Sequence, residues 1–186
     1  MKKTYFIISM LLLTCLLCNS VCAQKNKNEK KVTVSYTWTH IQSHGSNQIA
    51  IWIEDAGGKY ICTLFATRFT AKGGFNKRPV SLSEWTSKSD IKNATTEEVD
   101  AVTGATPSSG KQSVSWNLKD RKGKAVPAGT YIVRMEANIL DSDKMFYHAK
   151  IKIGGADLLT KGEITFSKPE LANGNVLFSN VEVEYR

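Results

Sequence analysis

The sequence predicts an all-β fold, two antiparallel sheets packed face to face with one long irregular insert, on three observations. The dominant period of the chain is two, as where Val32, Val34, Tyr36 and Trp38 alternate with Thr33, Ser35, Thr37 and Thr39. Similar short segments recur along the chain, separated by clusters of Gly, Asp, Asn and Ser. No helical periods alternate with them, so a parallel α/β architecture is excluded.

The chain opens with a different signal. Lys2 and Lys3 are followed by the apolar run Tyr5 to Leu17, and Val21-Cys22-Ala23 places small side chains before Gln24. That order is the pattern of a secretory signal peptide, so residues 1–23 are expected to be removed on export to the periplasm or beyond. An uncleaved anchor is the alternative, since Thr4 to Gln24 is uncharged and just long enough to span a bilayer. Asn19 and Ser20 weigh against it, and after cleavage no stable membrane insertion is expected. Residues 24–31 read as a polar linker and 32–186 as a single sandwich domain.

Three of the four cysteines lie in the leader, so Cys62 has no internal partner and reads as a small buried hydrophobe. The net charge of +8 is dispersed among alternating signs, as in Lys119-Asp120-Arg121-Lys122. A nucleic-acid partner would require one basic face with interleaved aromatics and is not expected.

The second strand carries Ile49, Ile51 and Ile53 alternating with Ala50 and Trp52. The turn Glu54 to Lys59 (EDAGGK) should close it into a hairpin with Tyr60 to Phe69. Further strands are expected over Gln112 to Leu118, Thr130 to Ile139, Met145 to Ile153, Glu163 to Ser167 and Val176 to Tyr185. The last should break near Ser179-Asn180. Between about 70 and 109 the chain is polar and lacks alternation. A connection this long is usually functional or partly disordered. Within it, Ser83 and Thr95 are reasonable N-caps for helical turns over Ser81 to Trp85 or Thr95 to Val99. Trp85 reads either as a cap on the core or as a ring that stacks against a sugar or flavin.

Trp116, followed at a distance by Gly129-Thr130-Tyr131, fits a strand pair whose aromatic residues plug the core. The sandwich is therefore read as immunoglobulin-like, with a small barrel as the other option. The stretch Ser113 to Ala137 (SVSWNLKDRKGKAVPAGTYIVRMEA) resembles the hairpin of immunoglobulin-like modules such as that of the flagellar hook-capping protein. Together with IWIEDAGGKYICTLFATR upstream and VDAVTGATPSSG between, it makes the chain resemble the exported bacterial proteins of domain-of-unknown-function family 2271, over roughly Trp52 to Ile153. In many members a Glu-His-Gly follows the strand, where this sequence has Glu136-Ala137-Asn138.

The stretch Asp100-Ala-Val-Thr103-Gly104-Ala105-Thr106 also resembles the Asp-x-x-Ser/Thr-Gly-Ala-Thr signature of bacterial FMN-carrier domains. There, an envelope flavin transferase esterifies the last threonine with the FMN phosphate. The resemblance implies covalent FMN on Thr106, electron exchange with a membrane redox partner, and Asp100 as a charged docking point. Gly104 and Ala105 would lower the steric cost of bringing the hydroxyl into another enzyme's site, and Thr106 before Pro107 is pushed towards extended backbone. Pro107 and the strand that follows it depart from the carrier pattern. The plain alternative is a tight connection into the next strand, with Asp100 bonding its own backbone.

Other chemistry-bearing residues have ordinary explanations. His40 and His44 are four apart at a strand end and in a loop, His148 alternates within a strand, and a zinc site needs further ligands nearby. Asp141 to Lys144 (DSDK) and the EDAGG turn lack calcium-loop spacing, and Gly73-Gly74 lacks a phosphate-binding context. No nucleophile elbow or paired carboxylates are legible, so no catalytic residues are assigned and no enzyme is expected. Two functions remain: an electron-transfer accessory carrying FMN, and a cofactor-free binding or assembly module for an envelope protein or glycan.

Overall fold

The computed structural model describes residues 29–42, 45–140, 142–174 and 176–186. The leader, residues 24–28 of the linker, His44 and Asp141 lie outside the described residues. Among the described residues ten strands form two sheets: β1 (Val32–Trp38), β2 (Gln48–Asp55), β3 (Tyr60–Thr67), β4 (Thr103–Gly104), β5 (Gly110–Trp116), β6 (Gly129–Leu140), β7 (Asp143–Ile153), β8 (Leu158–Thr160), β9 (Glu163–Phe166) and β10 (Phe178–Tyr185). One sheet has the order β5-β1-β10-β8 and the other β4-β3-β2-β6-β7-β9. The protein is an all-β sandwich, and every pairing is antiparallel except the two-residue contact of β4 with β3.

Alternation builds the space between the sheets. Val32, Val34, Tyr36 and Trp38 point inward from β1, and meet Ile49, Ile51 and Ile53 of β2 and Val133, Met135 and Ala137 of β6. The β2–β3 hairpin closes as the sequence suggests. Asp55 Oδ1 accepts from the backbone N–H of Gly57 and Lys59, and Gly58 takes a positive φ of 81° that glycine tolerates. In β10 the expected break is a bulge: Asn180 adopts φ 50°, and the register to β1 slips between Ser35 and Thr37.

Two expectations are corrected. The Trp116 and Tyr131 segments are not a hairpin pair, since β5 pairs with β1 and β6 with β2 and β7. The two rings instead meet across the layers, edge to face at 5.1 Å, and Tyr131 Oη donates to Pro127 O at 2.8 Å. Nor is residues 70–109 an open irregular loop. It folds into a π-type turn (Thr70–Gly74), single turns at Phe75–Lys77 and Ile91–Asn93, and two helices, α1 (Ser83–Ser89) and α2 (Thr96–Val102). These cover the outer face of the six-stranded sheet. Ala50, Trp52 and Ala66 from the sheet and Ala71, Leu82, Trp85, Ile91 and Val99 from the insert make a second apolar layer. Both faces of β2 are therefore buried.

Cys62 is buried, and desolvation, with the Asp120 charge adding to it, pushes its thiol up to about 12. A thiol reagent at pH 8 is expected to leave the folded protein unlabelled and to react fully in denaturant. Trp116→Ala should cost about 3–5 kcal/mol in urea unfolding. Tyr131→Phe, which loses only the bond to Pro127, should cost about 1 kcal/mol.

Candidate functional site

The Asp100–Thr106 stretch is held at its start by a well-formed helix. Thr95 caps α2: its hydroxyl accepts from Glu98 N at 3.2 Å, and the Glu98 carboxylate accepts from Thr95 N at 2.9 Å. This reciprocal pair satisfies two amides that the helix leaves open. Glu97 and Glu98 in the first turn also suit the positive end of the helix. The second expected cap is corrected. Ser83 lies inside α1, and Leu82, in left-handed backbone with φ 49°, stands at the cap position.

From α2 the chain runs straight into β4, where Thr103 pairs with Ala66 and Gly104 with Thr67. Gly104 crosses the Phe65 ring so closely that a Cβ there would lie 2.8 Å from a ring carbon. The glycine is needed for this approach and not for an unusual dihedral. Ala105 is exposed and Thr106 half-buried, its Oγ1 donating to Asn47 O at 3.2 Å. Ser109 then accepts from His40 N at 2.9 Å as the chain enters β5. Asp100 is exposed and ion-paired with Lys72 of the insert's first turn, so its carboxylate joins two parts of the insert. The stretch is thus clamped at Phe65, Asn47, His40 and Lys72. Beyond α2, a cavity of about 330 Å³ opens against β3, lined in part by Tyr60, Cys62, Ala101 and Arg121.

Trp85 takes the capping role. Fully buried, it donates from Nε1 to Thr63 Oγ1 at 2.9 Å and offers no face to a sugar or flavin. Its neighbour Glu136 is a residue that sequence reasoning missed. This fully buried carboxylate accepts from Trp85 N at 2.9 Å and Glu84 N at 3.4 Å, and Lys144 Nζ lies 3.2 Å away. A glutamate from β6 therefore supplies the N-terminal cap that α1 lacks locally. Burial raises the Glu136 carboxyl above its ordinary value, against the lowering effect of the Trp85 amide and the Lys144 charge. Its place on the outer phase of β6, among Ile132, Arg134 and Asn138, reads equally well as solvent-facing, and the Glu-His-Gly that many members of family 2271 carry at this place gives it no role.

Two of the three histidines lie among the described residues. His40 is exposed, and His148 on β7 faces Glu163 at 3.7 Å. Among the described residues no group of three or more His, Cys, Asp or Glu is placed to hold a metal ion.

A family model described as "Predicted periplasmic protein (DUF2271)" matches residues 29–166. The chain belongs to this family. The match runs from before β1 through β9, so the DUF2271 region contains the insert, the Asp100–Thr106 stretch and Glu136. The family's description agrees with the exported location that the leader predicts. No curated protein and no solved structure matches this DUF2271 chain. Among its described residues no helix is long and apolar enough to cross a membrane.

Glu136→Ala should cost about 3–5 kcal/mol in urea unfolding, because it strands the Lys144 ammonium and two helix amides. The raised carboxyl also fixes a pH dependence. The unfolded chain releases this proton at lower pH than the folded protein, so the stability linked to Glu136 is fullest below the unfolded value and declines as pH rises through the folded one. Glu136→Gln should remove that decline when unfolding is followed across the acid range.

Proposed function

We propose that this protein is a non-catalytic electron carrier of the bacterial envelope, with FMN attached covalently to Thr106. The observation that carries the reading is the state of the Thr106 hydroxyl. It is half-exposed between an exposed alanine and a proline, on one 3.2 Å bond to a backbone carbonyl, longer than the usual range for a hydroxyl donor. Giving up such a bond costs little, about 1 kcal/mol. The residues fit the attached group. Gly104 pressed on Phe65 fixes the connection, Ala105 leaves the approach clear, and Pro107 keeps Thr106 extended.

In the attachment step Thr106 Oγ bonds to the phosphorus of the FMN half of a flavin dinucleotide. The pyrophosphate P–O bond breaks, the nucleoside monophosphate leaves, and the hydroxyl proton passes to a base of the flavin transferase. No oxidation accompanies the exchange. Once attached, FMN supplies one- and two-electron chemistry, and the chain's part is to hold it where a membrane redox partner can reach it. Asp100, paired with Lys72, keeps the stretch in place and gives the transferase a charged edge.

The cofactor-free assembly module is the second reading. It is favoured by Leu158, Leu159 and Ile164, exposed apolar side chains on the short strands β8 and β9.

Co-expression of the exported protein with a flavin transferase is expected to yield flavin fluorescence that survives denaturation and stays with the protein band. Thr106→Ala should abolish it and Thr106→Ser should retain it in part. Absent colour, or colour indifferent to Thr106→Ala, overturns the carrier and favours the assembly module.

A further inference from the structure

We infer that the surface formed by Arg68, Phe69 and Arg78 is the seat of the flavin, with the guanidinium groups facing its phosphodiester and Phe69 its ring system. The inference rests on the reading of Thr106 as the attachment point and goes on to say where the attached group lies.

The register places this surface beside the acceptor. β3 and β4 run parallel with Thr67 opposite Gly104, and Arg68-Phe69 and Ala105-Thr106 are the residues that directly follow this last pair. A second link is independent of the first. Thr106 Oγ1 donates to Asn47 O at 3.2 Å, and Arg78 Nη1 donates to the preceding carbonyl, Ser46 O, at 3.3 Å. Hydroxyl and guanidinium thus rest on consecutive peptide units. A third link is the ion pair of Asp100 with Lys72, which ties the start of the acceptor stretch to the same turn.

The chemistry matches the ligand. Residues 68–78 carry Arg68, Lys72, Lys77 and Arg78 and contain no acid. Lys72 is matched by Asp100, but among the described residues no carboxylate pairs with Arg68, Lys77 or Arg78. A phosphodiester is the kind of anion that such groups bind by charge-assisted hydrogen bonds. Phe69 is 39% exposed, the aromatic ring left most open among the large exposed apolar side chains described. The Arg78 guanidinium lies over it at 5.5 Å, a contact that restrains the ring and sets the cation beside it. Gly74 fixes its backbone: a Cβ there would lie 2.2 Å from Phe69 O, so the turn closes this tightly only with glycine. Arg68, Phe69, Lys72 and Lys77 line a concavity of about 300 Å³, at the small end of ligand sites.

The test uses the full exported chain, flavinylated by co-expression, with covalent loading measured by intact mass. In the parent protein, flavin fluorescence should be quenched relative to the denatured state and shielded from iodide. Phe69→Ala and Phe69→Leu should raise native fluorescence several-fold and admit iodide, with loading unchanged; the leucine variant keeps the packing and removes only the aromatic face. Arg78→Ala should shift the reduction potential to more negative values, because a cation near the ring favours the added negative charge. Lys124→Ala, in the β5–β6 connection, should change neither reading. Full loading with fluorescence and potential indifferent to Phe69 and Arg78 overturns the seat and leaves the carrier standing. Absence of covalent flavin on the parent protein overturns both.

Discussion

The architecture depends on one buried carboxylate. Glu136 projects from the outer phase of β6, where a two-layer sandwich would face water, and is covered by the start of α1. An isolated buried carboxylate would be costly. This one is compensated by the amides of Trp85 and Glu84 and by the Lys144 ammonium, which a short contact also ties to Ser83. The helix has the complementary need. Leu82 at its cap position is apolar and left-handed, and its side chain offers no hydrogen bond to the first amides of α1. A helix without a cap and a carboxylate without solvent solve each other's problem, and the solution fixes where the insert docks.

With α1 in place, the apolar layer beneath it becomes possible. Trp85 and Trp52 share this layer, and each indole N–H finds an oxygen, on Thr63 and Glu54 respectively. Charged pairs then ring the layer: Lys88 with Glu54 at 3.0 Å, and Arg134, stacked over Trp52, with Glu84. Exposed pairs contribute little to stability, but here Glu54 is buried and Arg134 and Glu84 are partly so. The buried ones have a different effect, since a misplaced helix would leave them unmatched, and they fix the register of the insert on the sheet. That register carries through α2 to β4 and so to Thr106.

The sandwich was legible because its signal is local. Alternation in β1, β6 and β7, the Asp55–Lys59 turn and the Thr95 cap each need only a few neighbouring residues to be recognised. The insert was not, because what orders it comes from distant residues. Trp85 is some fifty positions from the Glu136 that receives its amide, about a separation that no window of periodicity spans. One clue was present. Ile49-Ala-Ile-Trp-Ile53 is apolar at every position, the mark of a strand buried on both faces, and it implied a cover that only the insert could provide. Taking Ala50 and Trp52 as the solvent phase hid that cover. The Trp116 and Tyr131 segments misled differently: two strands close in sequence, joined by turn residues, ordinarily pair, whereas here the connection crosses from one sheet to the other.

The candidate acceptor gains a consequence from this packing. A threonine on a swinging loop would be easy to reach but would leave its cargo at no fixed place. Thr106 instead sits on a connection pinned on both sides, by Gly104 against Phe65 before it and by Ser109 against His40 after it. Only the hydroxyl itself is lightly held, on Asn47 O. For the proposed carrier such an arrangement would separate two demands: the backbone would stay put for a redox partner, while the one atom that must react would give up only a single long hydrogen bond. Asp100 belongs to the first demand. Its pairing with Lys72 draws the acidic end of the stretch onto the basic turn and leaves Arg68 and Arg78 without a carboxylate partner among the described residues, so the strongest unmet charge near Thr106 is positive. An anionic ester formed there would lower the local charge imbalance instead of adding to it, which is the electrostatic ground for proposing this hydroxyl, rather than that of Thr103 against the strand, as the acceptor.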